Sequence, residues 1–215
     1  MSSNPKLSIL EMHRLTVEEF QKSKKLPLIV VLDDVRSLYN VGSVFRTSDA
    51  FRVESIYLCG ITATPYPVDE AHVTDPSALQ TARECTLKAQ QEIHKTALGA
   101  EDSVDWKYFP TALEALKSLH QQGYEVLAVE QCHGSTMLND FRPEEGKKYA
   151  VILGNEVKGV HQEVIDHCDG CLEIPQYGTK HSLNVSTTAG IIIWSFVKLK
   201  SSHCVRCVTG GYKRE

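Results

Sequence analysis

Three separated stretches of this 215-residue chain carry side chains that could do chemistry together. The first is Asn40-Val41-Gly42-Ser43-Val44-Phe45-Arg46-Thr47, with an amide and a guanidinium. The second is Ile152-Leu153-Gly154-Asn155-Glu156-Val157-Lys158-Gly159, which sets one carboxylate between two glycines. The third joins Ile174-Pro175-Gln176 to Ser182-Leu183-Asn184-Val185-Ser186, a hydroxyl and an amide ahead of an apolar run. An arginine can pair bidentately with a phosphate or a carboxylate. Amides, a hydroxyl, a carboxylate and a guanidinium together could bind and orient a polar ligand through directed hydrogen bonds.

Such a set needs a scaffold, and strand and helix signals alternate along the chain. Thr16-Val17-Glu18-Glu19 fits a capping box, which predicts a helix from Val17 to the lysines at 22–25, stopped by Pro27. The β-branched run at 28–32 reads as a strand buried on both faces. A helix is expected from Asn40, its cap, through Ala50, with Gly42 leaving the first turn open to a close approach by a ligand backbone. Arg46 follows one turn after Gly42, on the same face. Further strands are expected at 55–59, 104–109, 125–130, 149–153 and 170–175. Residues 61–77 read as a loop, 77–98 as a helix and 131–148 as a loop. Thr111-Ala112-Leu113-Glu114 is a second capping box, for a helix ending at Gly123. A polar loop at 176–182 precedes a last, apolar helix that begins around Leu183 to Ser186. The alternation predicts an α/β fold, a mostly parallel sheet flanked by helices. In such sheets ligands sit where strands end and helices begin. Residues 1–27 read as a helical extension, 28–200 as the one domain and 201–215 as a tail.

The bulk properties narrow the classes. No apolar run approaches a membrane span, and the N-terminus has no apolar signal core. A cytoplasmic protein with seven reduced cysteines is the reading. Net charge is −4, so any nucleic-acid site must be a local basic patch. Two C-x-x-C pairs, Cys168 with Cys171 and Cys204 with Cys207, could hold zinc, but their separation exceeds the usual range, so no metal is expected. Gly154 to Gly159 has the glycine spacing of a phosphate loop, yet Val160-His161 follow instead of Lys and Ser or Thr. No Gly-x-Gly-x-x-Gly follows a predicted strand, which disfavours a nicotinamide enzyme too.

Taken together and in this order, the three stretches resemble the SpoU (TrmH-type) branch of the SPOUT methyltransferases, over roughly residues 28–198. The resemblance implies methyl transfer to the ribose 2′-hydroxyl of tRNA or rRNA, with S-adenosyl-L-methionine as donor. It implies a C-terminal trefoil knot and a homodimer with an RNA site built from both subunits. The catalytic positions it implies are Asn40, Arg46, Glu156, Ser182 and Asn184. The cofactor positions are Val129, Glu130, Leu153, Gly154, Asn155, Gly159, Ile174, Pro175, Gln176, Ser182 and Leu183. Arg36, Arg46, Arg52, Lys158, Lys180 and His181, in or beside the motifs, are the candidate RNA contacts, with Lys147 and Lys148 as further basic residues.

Duller readings stand beside these. Arg46 could be a surface arginine, Glu156 a solvated loop carboxylate, and Ser182 and Asn184 plain helix caps. A SPOUT enzyme acting on a base, or a non-catalytic RNA-binding relative, would keep the same fold. One departure from the pattern is the stretch at 64–90, longer than expected between the second strand and Glu92-Ile93-His94.

Overall fold

The computed structural model describes residues 6–203 except 9, 81, 83 and 84. Cys204 and Cys207 therefore lie outside the described residues, as does most of the tail at 201–215. Helix α1 (Val17–Lys22) starts on a complete capping box between Thr16 and Glu19. Its Phe20 is buried in the core. Strand β1 (Leu26–Asp33) begins one residue before Pro27, where its register with the next strand slips between Leu26 and Ile29. Such an irregularity tolerates the missing proline N–H.

Helix α2 (Leu38–Ala50) leads to β2 (Val53–Cys59). Helices α3 (Leu87–Ala97) and α4 (Ala100–Ser103) precede β3 (Trp106–Phe109). Then come α5 (Ala112–Gln121), β4 (Tyr124–Val129), β5 (Thr136–Met137) and β6 (Lys148–Leu153). The short α6 (Gln162–Ile165), β7 (Gly170–Glu173) and the long α7 (Val185–His203) complete the chain. The seven strands form one sheet in the order β3-β2-β1-β6-β4-β7-β5. Every neighbouring pair is parallel, as the continuous apolar runs lead one to expect.

The sheet is covered on both faces. Leu28, Val30 and Leu32 of β1 pack with Val44 and Phe45 of α2, Ile93 of α3 and Ile192, Ile193 and Phe196 of α7. Ile29 and Val31 point the other way, to Ala115, Leu116 and Leu119 of α5 and Val164 of α6. Alternate residues of one β-branched run thus feed two cores, each buried side chain contributing about 2 kcal/mol.

Two of the expected elements differ. The helix expected over 77–98 is a 3₁₀ segment at Pro76–Gln80 and then α3, which starts only at its cap, Thr86. Pro76 and Asp75 favour a tight turn, and the Asp75 carboxylate accepts the Ser77 N–H. The loop expected over 131–148 contains β5, two exposed residues that pair with β7. So short an edge strand has no periodicity to read.

Gly42 has a different purpose from the one expected. It is buried, and a Cβ there would lie 2.2 Å from both the Ile93 carbonyl oxygen and Thr96 Oγ1 of α3. The close approach it permits is that of a neighbouring helix, not of a ligand. Thr96 Oγ1 also donates to the Tyr39 carbonyl at 3.0 Å, which ties α3 to the first turn of α2. Gly42→Ala should therefore destabilise the chain by about 3 kcal/mol through overpacking. Urea denaturation would show this as a lower midpoint with the slope unchanged.

Candidate active site

The carboxyl ends of β1 and β6 face the amino ends of α2 and α7. Ser37, not Asn40, caps α2: its Oγ accepts the Asn40 N–H at 3.3 Å. The expected role of Asn40 as the cap is thereby corrected. A cap accepts from the residue three positions on, and Asn40 is that residue here. Its side chain, buried with the residue at 9% exposure, is free for another task.

That task is a relay. Glu156 Oε1 accepts from Asn40 Nδ2 and from the Ser37 N–H, each at 3.0 Å. Glu156 Oε2 accepts the Arg36 N–H at 3.0 Å. Asn40 Oδ1 accepts from Asn184 Nδ2 at 3.1 Å. Asn184 Oδ1 in turn takes the Ser186 N–H at 2.9 Å, the Thr187 N–H at 3.4 Å and the Ser186 hydroxyl at 2.6 Å. Those backbone donors make Asn184 the cap of α7, as the plain-cap reading had it, and its Nδ2 is left to bond Asn40. They also orient every amide in the row. With Oδ1 committed to N–H groups, Asn184 must present its NH₂ to Asn40, which must then present its own to the carboxylate.

Glu156 is an exposed residue, but partial desolvation of its carboxyl pushes the pKa upward. The N–H groups of Arg36, Glu156 itself and Ser37, with the Asn40 amide, outweigh it, and the group titrates below the ordinary glutamate range. A carboxylate so engaged is ionised and already has donors on both oxygens. It suits positioning rather than proton abstraction.

The loop that carries Glu156 is folded tightly on itself. Asn155 and Gly159 exchange backbone hydrogen bonds at 3.0 and 2.9 Å. Asn155 Oδ1 accepts the N–H groups of Val157 and Lys158, and Asn155 Nδ2 donates to the Asp34 carbonyl at 2.8 Å. A Cβ on Gly154 would lie 2.1 Å from the carbonyl carbon of Gly159 and from the nitrogen of Val160. The returning chain, rather than a ligand, makes glycine necessary at 154. Gly159, at φ +69°, would place a Cβ 2.1 Å from Glu130 Oε2. That oxygen accepts the Val160 N–H at 3.1 Å, so Glu130 pins this loop to the end of β4.

The donor-pocket residues inferred from sequence divide by environment. Leu153 is buried, and Val129, Glu130, Gly154, Asn155, Gly159, Ile174 and Pro175 are half-buried at or after strand ends. Gln176, Ser182 and Leu183 are exposed on the segment leading into α7. The His181 carbonyl accepts from Gln131 Nε2 at 2.5 Å, which ties this segment to the chain after β4.

The RNA candidates divide too. Arg36, Lys158, Lys180 and His181 are exposed on the loops at the carboxyl edge. Arg52 is not with them. It follows the last turn of α2, at φ +52°, and its carbonyl accepts the Leu26 N–H where β1 starts. Helix α2 runs back along the sheet and delivers Arg52 to the opposite edge. Arg46 is exposed, six residues beyond Asn40. It thus lies about 9 Å further along the helix and about 240° round it, outside the relay of its own chain.

Sequence reasoning missed several contributors. Ser37 was hidden because the residue three on is Asn rather than Glu or Gln. The buried Asp33 at the end of β1 accepts from or donates to His161 Nδ1 at 3.0 Å, and Asp34 Oδ2 lies 3.8 Å from His161 Nε2. Burial raises the Asp33 carboxyl pKa, against the opposing effect of His161. Among the described residues these three are the one group of His, Cys, Asp and Glu with ligand atoms within 4.8 Å of one another. Both ring nitrogens face carboxylates, Asp33 on one side and Asp34 on the other.

The SpoU rRNA Methylase family model matches residues 71–194. That range takes in the second and third motifs and starts after the first. Among characterised relatives, a 23S rRNA (guanosine-2′-O-)-methyltransferase RlmB of Neisseria meningitidis is 26% identical over 167 residues, 78% of this chain and 56% of the relative. A tRNA (guanosine(18)-2′-O)-methyltransferase of Thermus thermophilus is 28% identical over 185 residues, 86% of this chain and 81% of that one. The chain thus spans little more than half the length of the Neisseria enzyme. Among solved structures, the A. aeolicus TrmH/SpoU tRNA modifying enzyme superposes with a TM-score of 0.65 at 22% identity, covering 87% of this chain and 82% of that one. The AdoMet-bound rRNA methyltransferase of Sinorhizobium meliloti gives 0.63 at 21% identity, over 86% and 62%.

Proposed function

Since the chain belongs to the SpoU rRNA Methylase family, we propose that it transfers a methyl group from S-adenosyl-L-methionine to a ribose 2′-hydroxyl of tRNA or rRNA. The observation that carries this reading is the relay from Glu156 through Asn40 to Asn184. It joins all three motifs in one set of hydrogen bonds at the carboxyl edge of the sheet, where α/β proteins bind ligands. The names of the relatives, methyltransferases of guanosine 2′-hydroxyls, support it.

The residues present suit the donor. Val129, Leu153, Gly154, Ile174, Pro175 and Leu183 offer apolar surface and backbone groups, and no lysine or arginine stands among the cofactor positions. A cation is not repelled there, and the Glu130 carboxylate is close by. When bound, S-adenosyl-L-methionine supplies an electrophilic methyl group on a sulfonium centre. Asn155 and Gln176 complete the wall, while Gly159 and Glu130 hold the loop in shape.

The chain's own part in the reaction is to place and deprotonate the sugar hydroxyl. Ser182 and Asn184 orient it at the start of α7. Glu156 holds Asn40, and Asn40 holds Asn184, so the acceptor side is rigid. Arg46 grips the neighbouring phosphate. Its guanidinium stays protonated and is a poor base, so the hydroxyl proton passes to the phosphate oxygen that Arg46 pairs. Lys158, Lys180, His181 and Arg36 add charge for the RNA backbone.

A homodimer completes this scheme. Arg46 projects to solvent away from its own relay and serves that of the partner. The surface for pairing is apolar: Trp194 of α7 is 54% exposed and Ile191 36%. Trp194→Glu should give a monomer by light scattering, with far-ultraviolet circular dichroism unchanged and methyl transfer lost. A Trp194→Glu dimer would overturn this choice of interface. The knot is part of the same reading: β7 lies between β4 and β5, so the short link at 130–135 must cross it. Cytoplasmic placement is proposed as well; no helix among the described residues is long and apolar enough to cross a membrane.

The test is incorporation of labelled methyl groups into total tRNA and rRNA, followed by alkaline hydrolysis. A 2′-O mark appears in an alkali-resistant dinucleotide. Label in mononucleotides points to a base instead, and no incorporation into either RNA overturns the proposal.

A further inference from the structure

The link between β4 and β5 carries Cys132, and the strand it crosses carries Cys171. Their sulfurs lie 3.1 Å apart, about 1 Å beyond a disulfide bond. The registers explain the meeting. Ala128 and Val129 of β4 pair with Cys171 and Leu172, and Thr136 of β5 pairs with Leu172 from the other side. The chain at 130–135 therefore passes over β7 at the level of Cys171. It is held there by a turn in which the Ser135 N–H donates to the Cys132 carbonyl, and by Ser135 Oγ on Glu173. Cys171 Sγ also donates to the Glu130 carbonyl at 3.4 Å. Both cysteines are half-buried, and their neighbours Gln131 and His133 are exposed, so small oxidants have access.

We propose that Cys132 and Cys171 are a modification site: a hydroperoxide oxidises them to a reversible disulfide that staples the β4–β5 link to β7. In the first step the Cys132 sulfur attacks a peroxide oxygen, giving a sulfenic acid and releasing water from hydrogen peroxide. In the second the Cys171 sulfur attacks that sulfur, and the hydroxyl leaves with the Cys171 proton as a second water. Two thiols are oxidised and one peroxide is reduced. Burial, with Cys132 beside it, raises the pKa of Cys171, which suits the resolving rather than the attacking thiol. Cys168 completes a C-x-x-C with Cys171, but the sulfur that meets Cys171 is that of Cys132.

The staple has a path to the methyl-donor pocket, a consequence that rests on the function proposed above. Closing the last ångström pulls on Gln131, whose side chain holds the His181 carbonyl beside Ser182. It also pulls on Glu130, which pins the Gly159–Val160 turn.

The experiment treats the full chain with dilute hydrogen peroxide, blocks free thiols and maps peptides by mass. One Cys132–Cys171 bridge is expected, reversed by dithiothreitol, kept in Cys168→Ser and absent in Cys132→Ser. A Cys168–Cys171 bridge, or Cys132 carried only to sulfinic acid, overturns the site. Calorimetry with S-adenosyl-L-methionine should then show affinity reduced about fivefold or more by oxidation, the low end for coupled sites. Cys132→Ser should not respond to peroxide. A mapped bridge with unchanged affinity removes the coupling and leaves the site. Absence of binding even in the reduced chain counts against the methyl-donor reading, not against the bridge.

Discussion

Arg46→Ala should lower single-turnover methyl transfer about a thousandfold while leaving the affinity for S-adenosyl-L-methionine within a factor of about two. The split follows from position. Arg46 is exposed on α2 and lies outside the set of residues that would hold the donor, so removing it costs that binding nothing. It does remove the fork that pairs the phosphate and keeps its oxygen aligned to take the proton. Arg46→Lys should recover little, because an ammonium cannot reproduce the bidentate geometry. Rapid-quench transfer to unmodified RNA and calorimetry with the donor alone would read the two effects separately. Mixing Arg46→Ala with Asn184→Ala chains gives a further check. If Arg46 serves the partner's relay, mixed dimers regain one intact site. A mixture as inactive as either parent would place Arg46 in its own chain's site or outside the mechanism.

Glu156→Gln should also be damaging, though less so, for a different reason. Both Glu156 oxygens accept, one from Ser37 and Asn40 and the other from Arg36. Glutamine keeps one acceptor and turns an NH₂ toward the donors on the other side. One of them then loses its partner, and the row of amides that depends on it loosens. Activity should fall about a hundredfold, the order expected when a reacting group is misplaced by about 1 Å.

The same substitution changes the response to acid. The Glu156 pKa is lowered on folding, so its stabilisation is complete above the ordinary glutamate range. It is lost as pH falls from that range through the lowered value. Glu156→Gln should lose this part of the acid limb in urea midpoints measured against pH. An unchanged limb would show that the carboxylate is not the group holding the α2 entry.

Features specified by neighbours in sequence were legible, and those specified by distant contacts were not. Thr16 and Thr111 could be read as caps because cap and partner lie within four residues. The buried strands announced themselves by β-branched runs. Gly42 could not be read, because the atoms that exclude its Cβ belong to α3, about fifty residues on. Arg52 is close to Arg46 in sequence, yet a helix of thirteen residues carries the chain from one edge of the sheet to the other. Asn40, Glu156 and Asn184 were found through resemblance. Their hydrogen bonds to one another are a product of the fold, and no spacing encodes them.

The sheet order also bears on how this chain comes off the ribosome. Residues up to 147 supply β1, β2 and β3, which can pair at once, and β4 and β5, which cannot. Both neighbours of β4 are made later, and β5 waits for β7 alone. Half the framework must therefore stand open until β6 and β7 slot into gaps left for them. A nascent chain halted before Lys148 exposes unpaired strand edges, which makes late synthesis the moment when a chaperone has most to protect.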